Sequence, residues 1–261
     1  MLVPFQDPPW RVIRAFPNSL RQAVVHLHNV SGGILSGDSL RLEIEMGDAA
    51  RVQITSVGAT RVYRQRLGVG GAGVDTFIRI EGGSVLEYLP DFVIPFAGSC
   101  FRQSTAISLG SNAGFIGWET LAAGRVASGE EFGFDSFHSE FSISSDTRPL
   151  ALERYSLTPS LESLRSIAYW GRFRYLASLY VCHTGVSQRQ WIGLETYLND
   201  FAFAQTGYET RWGVSTLIAG GLVIRGLARE AHQLTRGLHS FWDMAKRELW
   251  GEPAIPPRKI N

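Results

Sequence analysis

The chain has 261 residues, enough to bury a large hydrophobic core, and carries 25 basic and 24 acidic residues. A net charge of +1 gives no extended positive field, which argues against binding of nucleic acid or of an anionic membrane surface. All but two of the basic residues are arginine, a residue type that suits buried ion pairs and interfaces, and Lys246 and Lys259 are the exceptions.

Most of the chain alternates apolar and polar residues with a period of two, which is the pattern of half-buried strands. Turns rich in Gly, Ser, Asn or Asp separate these runs. Strands this closely spaced, with no helix between them, exclude a βαβ architecture and predict a mainly β fold of β-helix-like or sandwich-like stacked sheets, or a barrel. The predicted strands cover residues 40–46, 51–55, 76–80, 85–89, 101–109, 113–120, 137–144 and 150–157.

Two helices are predicted in the C-terminal third. Apolar residues recur at helical spacing between Trp191 and Phe201, and a longer stripe runs from Leu227 to Leu249 and stops at Gly251. No internal repeat or linker divides the chain. We therefore expect a single domain over residues 1–261.

The sequence shows no feature that would direct the chain to a membrane or to secretion. The first ten residues lack the basic and apolar regions of a secretory signal, and no apolar run reaches the length of a membrane span. Cys100 and Cys182 have no Cys or His at zinc-ligand spacing, and two isolated cysteines are no disulfide framework. We expect a cytoplasmic protein.

Two glycine-rich segments resemble nucleotide motifs but lack their context. Residues 68–73 match G-x-G-x-x-G, yet a strand follows where that motif needs a helix, so a mobile hairpin loop is predicted. Residues 32–39 have the spacing of a P-loop with Asp38 in place of the lysine, and a carboxylate there would repel phosphate. We expect its glycines to supply positive φ or close backbone approach.

Glu119 lies between Trp118 and Thr120 on an apolar strand, where a carboxylate needs compensation. One interpretation is an internal ion pair with Arg125, and another is that Glu119 faces an internal passage filled with water. A third is that Glu119 and Glu130 form the carboxylate pair of a glycosidase.

Several segments, in order, resemble signatures of the urease accessory protein family UreD, also called UreH. The similarity runs from about Arg11 to Arg258. Each piece is short, but five or more pieces in the right order are specific. The matching segments are G-G-I-L-S-G-D-S-L at 32–40, T-R-V-Y-R at 60–64, L-E-Y-L-P-D at 86–91, I-P-F-A-G-S at 94–99, and W-E through G-R to G-E at 118–130.

The resemblance implies a mostly β, non-enzymatic maturation factor with an N-terminal segment shorter than is usual in the family. Such a factor binds apo-urease and UreF, which recruits the GTPase UreG, and nickel passes through the complex without a tightly bound cofactor. Asp38, Glu119 and Glu130 are the candidates for a transient nickel passage. The alternatives are a β-solenoid carbohydrate-active enzyme using Glu119 and Glu130, and a structural scaffold. The structural or interaction motif comprises Gly32, Gly33, Gly37, Asp38, Tyr63, Arg64, Trp118 and Arg125.

Overall fold

The computed structural model describes residues 1–145 and 148–257. Arg258 and Lys259, noted in the sequence, lie outside this part. The helices are α1 (Gln188–Gln205) and α2 (Ala231–Trp250), and Val126–Ser128 form a 3-10 turn. The strands are β1 (Trp10–Pro17), β2 (Ala23–Asn29), β3 (Ser39–Met46), β4 (Arg51–Ser56), β5 (Thr60–Val62), β6 (Ala72–Ile80), β7 (Val85–Leu89), β8 (Val93–Pro95), β9 (Cys100–Leu109), β10 (Gly114–Ala122), β11 (Ser136–Ser145), β12 (Arg148–Leu157), β13 (Tyr175–His183), β14 (Thr210–Thr216) and β15 (Gly221–Ala228).

The first half of the chain winds as a β-helix, because successive strands alternate between two stacked sheets. One sheet holds β2, β4, β7 and β10, and the other holds β3, β6, β9 and β11, each strand parallel to the next in its sheet. The short strands β5 and β8 pair in parallel on a third side. The predicted mainly β fold of stacked sheets is confirmed.

Aligned apolar side chains hold the two sheets together. Four isoleucines lie in register across β3, β6, β9 and β11, and their row packs in the core between the sheets. Stacked strands therefore need only an apolar residue at each inward position, so coils can repeat in space although the sequence shows no repeat. The row consists of Ile44, Ile78, Ile107 and Ile143.

Antiparallel strands extend both sheets. The first sheet continues from β10 through β13 and β15 to β14, with β1 at its other edge, and β12 closes one edge of the second sheet. The Gly68–Gly73 segment precedes and enters β6, whose neighbours β3 and β9 are both parallel to it. The predicted hairpin at this segment is therefore wrong, because a parallel neighbour needs a crossover connection.

The two helices pack on the outer face of the first sheet. Ser187 and Gln190 form a capping box at the start of α1, and α2 ends at Gly251 in the left-handed conformation. The prediction that α2 begins near Leu227 is wrong, because residues up to Ala228 belong to β15 and α2 begins at Ala231. Leu227 lies near the end of β15, and its position continues the apolar spacing of the helix by chance.

A buried ion pair joins α2 to the middle of the sheet. Lys246 Nζ lies 2.6 Å from Glu87 Oε1, and the two side chains are 3% and 0% exposed. The amide groups of Gln22 and Gln53 also donate to the Glu87 carboxylate, at 2.9 Å each. Gln53 donates further to the carbonyl of Ile255, so the segment after α2 is tied to the same cluster.

Lys246→Met is expected to lower the free energy of unfolding by about 3–5 kcal/mol, because it leaves the Glu87 carboxylate buried without a cation. The control is Arg247→Met, which removes the exposed pair of Arg247 with Asp243 and should change the free energy of unfolding far less than Lys246→Met does. Urea unfolding of both variants measures the difference. Equal losses would contradict a structural role for the buried pair.

Candidate functional site

The structure brings four segments of the resemblance together on the third side of the β-helix. The Tyr63 and Phe96 rings meet edge to face at 5.0 Å, and the Arg125 guanidinium lies 4.5 Å from the Phe96 centroid. Arg125 Nε donates to Glu130 Oε2 at 2.8 Å, and Arg64 Nε donates to the Ala97 carbonyl at 3.3 Å. We call Tyr63, Arg64, Phe96, Arg125 and Glu130 the motif cluster.

The glycine turn packs against this cluster. Gly32 and Gly37 have φ of 79° and 83°, values that favour glycine. A Cβ on Gly33 would stand 2.5 Å from Tyr63 Cε2 and 2.7 Å from the Arg61 carbonyl oxygen. Asp38 closes the turn, since its Oδ2 accepts from the Leu35 N–H at 2.8 Å. Gly32 and Gly37 thus supply positive φ, and Gly33 allows the close backbone approach, as the sequence predicted.

An inner cavity of about 300 Å³ begins beside the glycine turn and extends between the two sheets. Gly32, Val57, Gly58 and Arg61 line it and are exposed, so the cavity opens to solvent there. Polar side chains line part of its inner wall, beside apolar ones such as Val74 and Phe101. The polar lining residues are Thr76, Tyr88, Gln103, Thr105, Glu119 and Thr120.

Glu119 is the acid of this inner wall. Thr105 Oγ1 and Ser139 Oγ donate to its two carboxylate oxygens, each at 3.1 Å. Burial raises the pKa of Glu119 to about 7, and the Glu153 carboxylate adds to this rise, whereas the hydroxyl donors oppose it. Burial, with the charge of Glu119 as a second cause, raises the pKa of Tyr88 to about 12.

The predicted ion pair between Glu119 and Arg125 is wrong. Arg125 instead holds Glu130 at the surface, and this pairing lowers the pKa of Glu130. A turn at Gly124, whose φ is 144°, directs Arg125 away from the inner face of β10. Neither Glu130 nor Asp38 lines the inner cavity. The structure therefore does not bring Glu119 and Glu130 into one cleft.

Trp118 projects to the opposite face of the sheet, toward α2. Its indole N–H donates to the Pro90 carbonyl at 2.9 Å, and its ring meets Trp242 at 6.0 Å. A second cavity of about 190 Å³ lies on this face, and Pro90, Asp91 and Thr120 line both cavities. On its β7 and β8 side, the pairing of β10 is interrupted between Gly117 and Leu121, where β7 ends and β8 has yet to begin, whereas the pairing of β10 with β13 on its other side is continuous.

Three charged residues with internal partners were not predicted from the sequence: Glu87 and Lys246 are buried, and Glu153 is half-buried. Glu153 accepts from the Tyr180 hydroxyl, and Arg225 Nη2 lies 3.2 Å from Glu153 Oε2. The alternation of Glu153, Tyr155 and Leu157 on β12 marks an inward-facing acid and was the available signal. Glu87 and Lys246 had a signal too, since each interrupts an apolar run on an element that was predicted.

Within residues 1–145 and 148–257, no group of three His, Cys, Asp or Glu side chains is arranged to hold a metal ion. No helix in the described part of the chain is both long enough and apolar enough to cross a membrane.

Comparison with known proteins gives a consistent match. A family model described as UreD urease accessory protein matches residues 4–261. The chain is 41% identical to the urease accessory protein UreD of Herpetosiphon aurantiacus, over 97% of this chain and 88% of the relative. Identity to UreD of Deinococcus radiodurans is 31%, over 99% and 89% of the two chains, and identity to UreD of Marinobacter nauticus is 30%, over 96% and 82%.

Gly33→Ala is expected to lower the free energy of unfolding by about 1–3 kcal/mol, because the new methyl group meets the Tyr63 ring and a backbone oxygen. Gly47→Ala is the control, since nothing lies within 4 Å of its Cβ position and neutral or slightly stabilising behaviour is expected. Urea unfolding compares them. A neutral Gly33→Ala would contradict the close packing of the turn on Tyr63.

Glu119→Gln is expected to remove a pH dependence of stability. The folded protein keeps the Glu119 proton up to about pH 7, whereas an ordinary glutamate releases it near 4.5, so this stabilisation is complete below 4.5 and is lost as pH rises through 7. Glutamine stays neutral, so the stability of the variant relative to the original should rise across this window by at most about 1.4 kcal/mol per pH unit. Urea unfolding at several pH values measures it, and a constant difference would contradict the raised pKa.

Proposed function

The chain belongs to the UreD family of urease accessory proteins, and we propose that it acts in urease maturation as a non-catalytic nickel-delivery scaffold. In this proposal it binds apo-urease and UreF, reaches UreG through UreF, and carries nickel in transit with no tightly bound cofactor. The observation that carries the proposal is the inner cavity, which opens at the glycine turn and has Glu119 on its inner wall.

The surroundings of Glu119 suit passage of a metal ion better than its retention. The carboxylate has hydroxyl donors at 3.1 Å and no cationic partner among the contacts of the described residues. A single carboxylate with neutral oxygen neighbours attracts a divalent ion electrostatically, but it lacks the several nitrogen or sulfur ligands that bind nickel tightly. Ions can therefore enter and leave.

The raised pKa adds a means of release. Near neutral pH the Glu119 carboxyl exists in both protonation states, because its pKa lies at about 7. An arriving divalent ion favours the charged form, and protonation of the carboxylate removes the attraction. Nickel transfer through this position is therefore coupled to proton movement in the proposed mechanism.

The second cavity offers a continuation of the route. It adjoins the inner cavity at Pro90, Asp91 and Thr120, where β10 lacks a partner strand on its β7 and β8 side. The Thr120 hydroxyl is buried and has no hydrogen-bond partner among the described atoms, so it can form a hydrogen bond to a water molecule that hydrates a passing ion. A route through this point would connect two faces of the protein and thus two partners.

Glu119→Gln is expected to fold, to assemble with urease and UreF, and to yield urease with less nickel. Glutamine keeps a hydrogen-bonding group beside Thr105 and Ser139 but removes the charge that attracts the ion. The variant is co-expressed with urease and its accessory proteins, and the nickel content of purified urease is measured together with assembly.

The matched control is Glu45→Gln, which removes an exposed carboxylate from β3. Normal nickel content with Glu119→Gln would refute the passage at this residue. Loss of assembly in the same variant would assign Glu119 to the structure of the complex instead. If the original chain neither assembles with urease nor raises its nickel content, the proposed function itself is wrong.

A further inference from the structure

Five side chains form a surface patch between the loop before β13 and the loop that joins α1 to β14. The guanidinium carbons of Arg172 and Arg229 lie 4.4 Å and 4.7 Å from the centroid of the Tyr208 ring. The guanidinium carbons of Arg172 and Arg211 lie 5.6 Å and 5.9 Å from the centroid of Phe173. We call Arg172, Phe173, Tyr208, Arg211 and Arg229 the arginine patch.

Carboxylates neutralise only part of this patch. Arg229 pairs with Glu209 at 3.2 Å. In the network beside the patch, Arg174 contacts Glu131 at 2.9 Å and Glu230 at 3.3 Å, which occupies those two acids. Among the described residues, no carboxylate lies within 4.0 Å of Arg172 or Arg211. Two positive charges thus remain unneutralised on a chain whose net charge is +1.

The patch is also preorganised. Phe173 is only 4% exposed and lies under the guanidinium groups of Arg172 and Arg211, whereas Tyr208 is 60% exposed at the surface. The loop that carries Tyr208 is held by backbone hydrogen bonds from Gly207 to Thr210 at 2.8 Å and from Arg229 to Glu209 at 3.0 Å. Because the rings already position the guanidinium groups, less side-chain freedom is lost when an anion binds.

We propose that the arginine patch is a docking site for a protein segment that carries two or more closely spaced carboxylates. A guanidinium that stacks on a ring keeps its N–H edge available for bidentate bonds to a carboxylate. An exposed tyrosine beside arginines is typical of the residues that dominate binding energy at protein interfaces. A nucleic acid is a poorer match, because two free charges neutralise few phosphates.

This inference goes beyond nickel transfer and does not rest on it, since none of the five residues lines either cavity. It assigns a separate surface to partner recognition. The partner is defined here by its chemistry, which is an acidic segment.

The test uses the full chain and a fluorescein-labelled hexaglutamate peptide, with hexaglutamine as the uncharged comparison. Fluorescence anisotropy at low salt and at about 150 mM salt should show binding of hexaglutamate alone, weaker at the higher salt. Arg172→Glu with Arg211→Glu should weaken binding by about tenfold or more, because like charges then face each other.

The control variant is Arg14→Glu with Arg189→Glu, which changes the net charge equally. Arg14 stacks on Phe16 at 4.4 Å next to β2, and Arg189 is exposed in the first turn of α1, whose opposite end leads to the loop that carries Tyr208. Circular dichroism checks folding, and Arg172→Gln with Arg211→Gln replaces the reversal variant if that variant is unfolded. Equal weakening by the control, absence of hexaglutamate binding, or tighter binding of a single-stranded oligonucleotide than of the peptide would each overturn the proposal.

Discussion

The architecture depends on how one buried charge is compensated. Glu87 sits in the middle of the first sheet with its side chain fully buried, and it is tolerable there only because Lys246 and two glutamine amides reach it. Parallel sheets need cover on their faces, and this contact fixes where α2 lies on the outer face. It also fixes the segment after α2, since Gln53 contacts Ile255 from the same cluster and Arg51 pairs with Glu252.

Glu119 and Glu153 differ from Glu87 in the kind of partner they have. Glu87 has a cation and two amide donors, which hold its carboxylate in place. Glu119 has neutral donors and no cationic partner among the described residues, so burial raises its pKa to about 7. In the proposed function, its charge is thereby available to an arriving ion. Glu153, on the edge strand β12 of the second sheet, has one cationic partner, Arg225, and one hydroxyl donor, Tyr180.

The positions of many strands could be predicted from the sequence, whereas the pairing of strands within the sheets could not. Period-two alternation located eight of the strands between β3 and β12, but not β13, β14 or β15. The alternation is the same in a hairpin and in a β-helix, so it did not reveal which strands pair. The segment before β6 was misassigned for this reason. The sequence indicated that the Glu119 carboxylate needs compensation, and Arg125 was the candidate because it is near in sequence. The actual donors, Thr105 and Ser139, come from the opposite sheet, which the sequence pattern does not reveal. Glu87 and Lys246 were missed because their pairing joins distant elements.

The glycine turn connects the motif cluster at the surface to the inner cavity. Gly33 has no side chain because the Tyr63 ring occupies that space, and Tyr63 in turn packs against Phe96 and so against Arg125. The same turn forms the rim of the inner cavity through Gly32. A partner that presses on the motif cluster therefore acts on residues that shape the cavity opening, because close-packed side chains transmit displacement rather than absorb it. In the proposed function, docking at the motif cluster and access to Glu119 would therefore involve one packed unit.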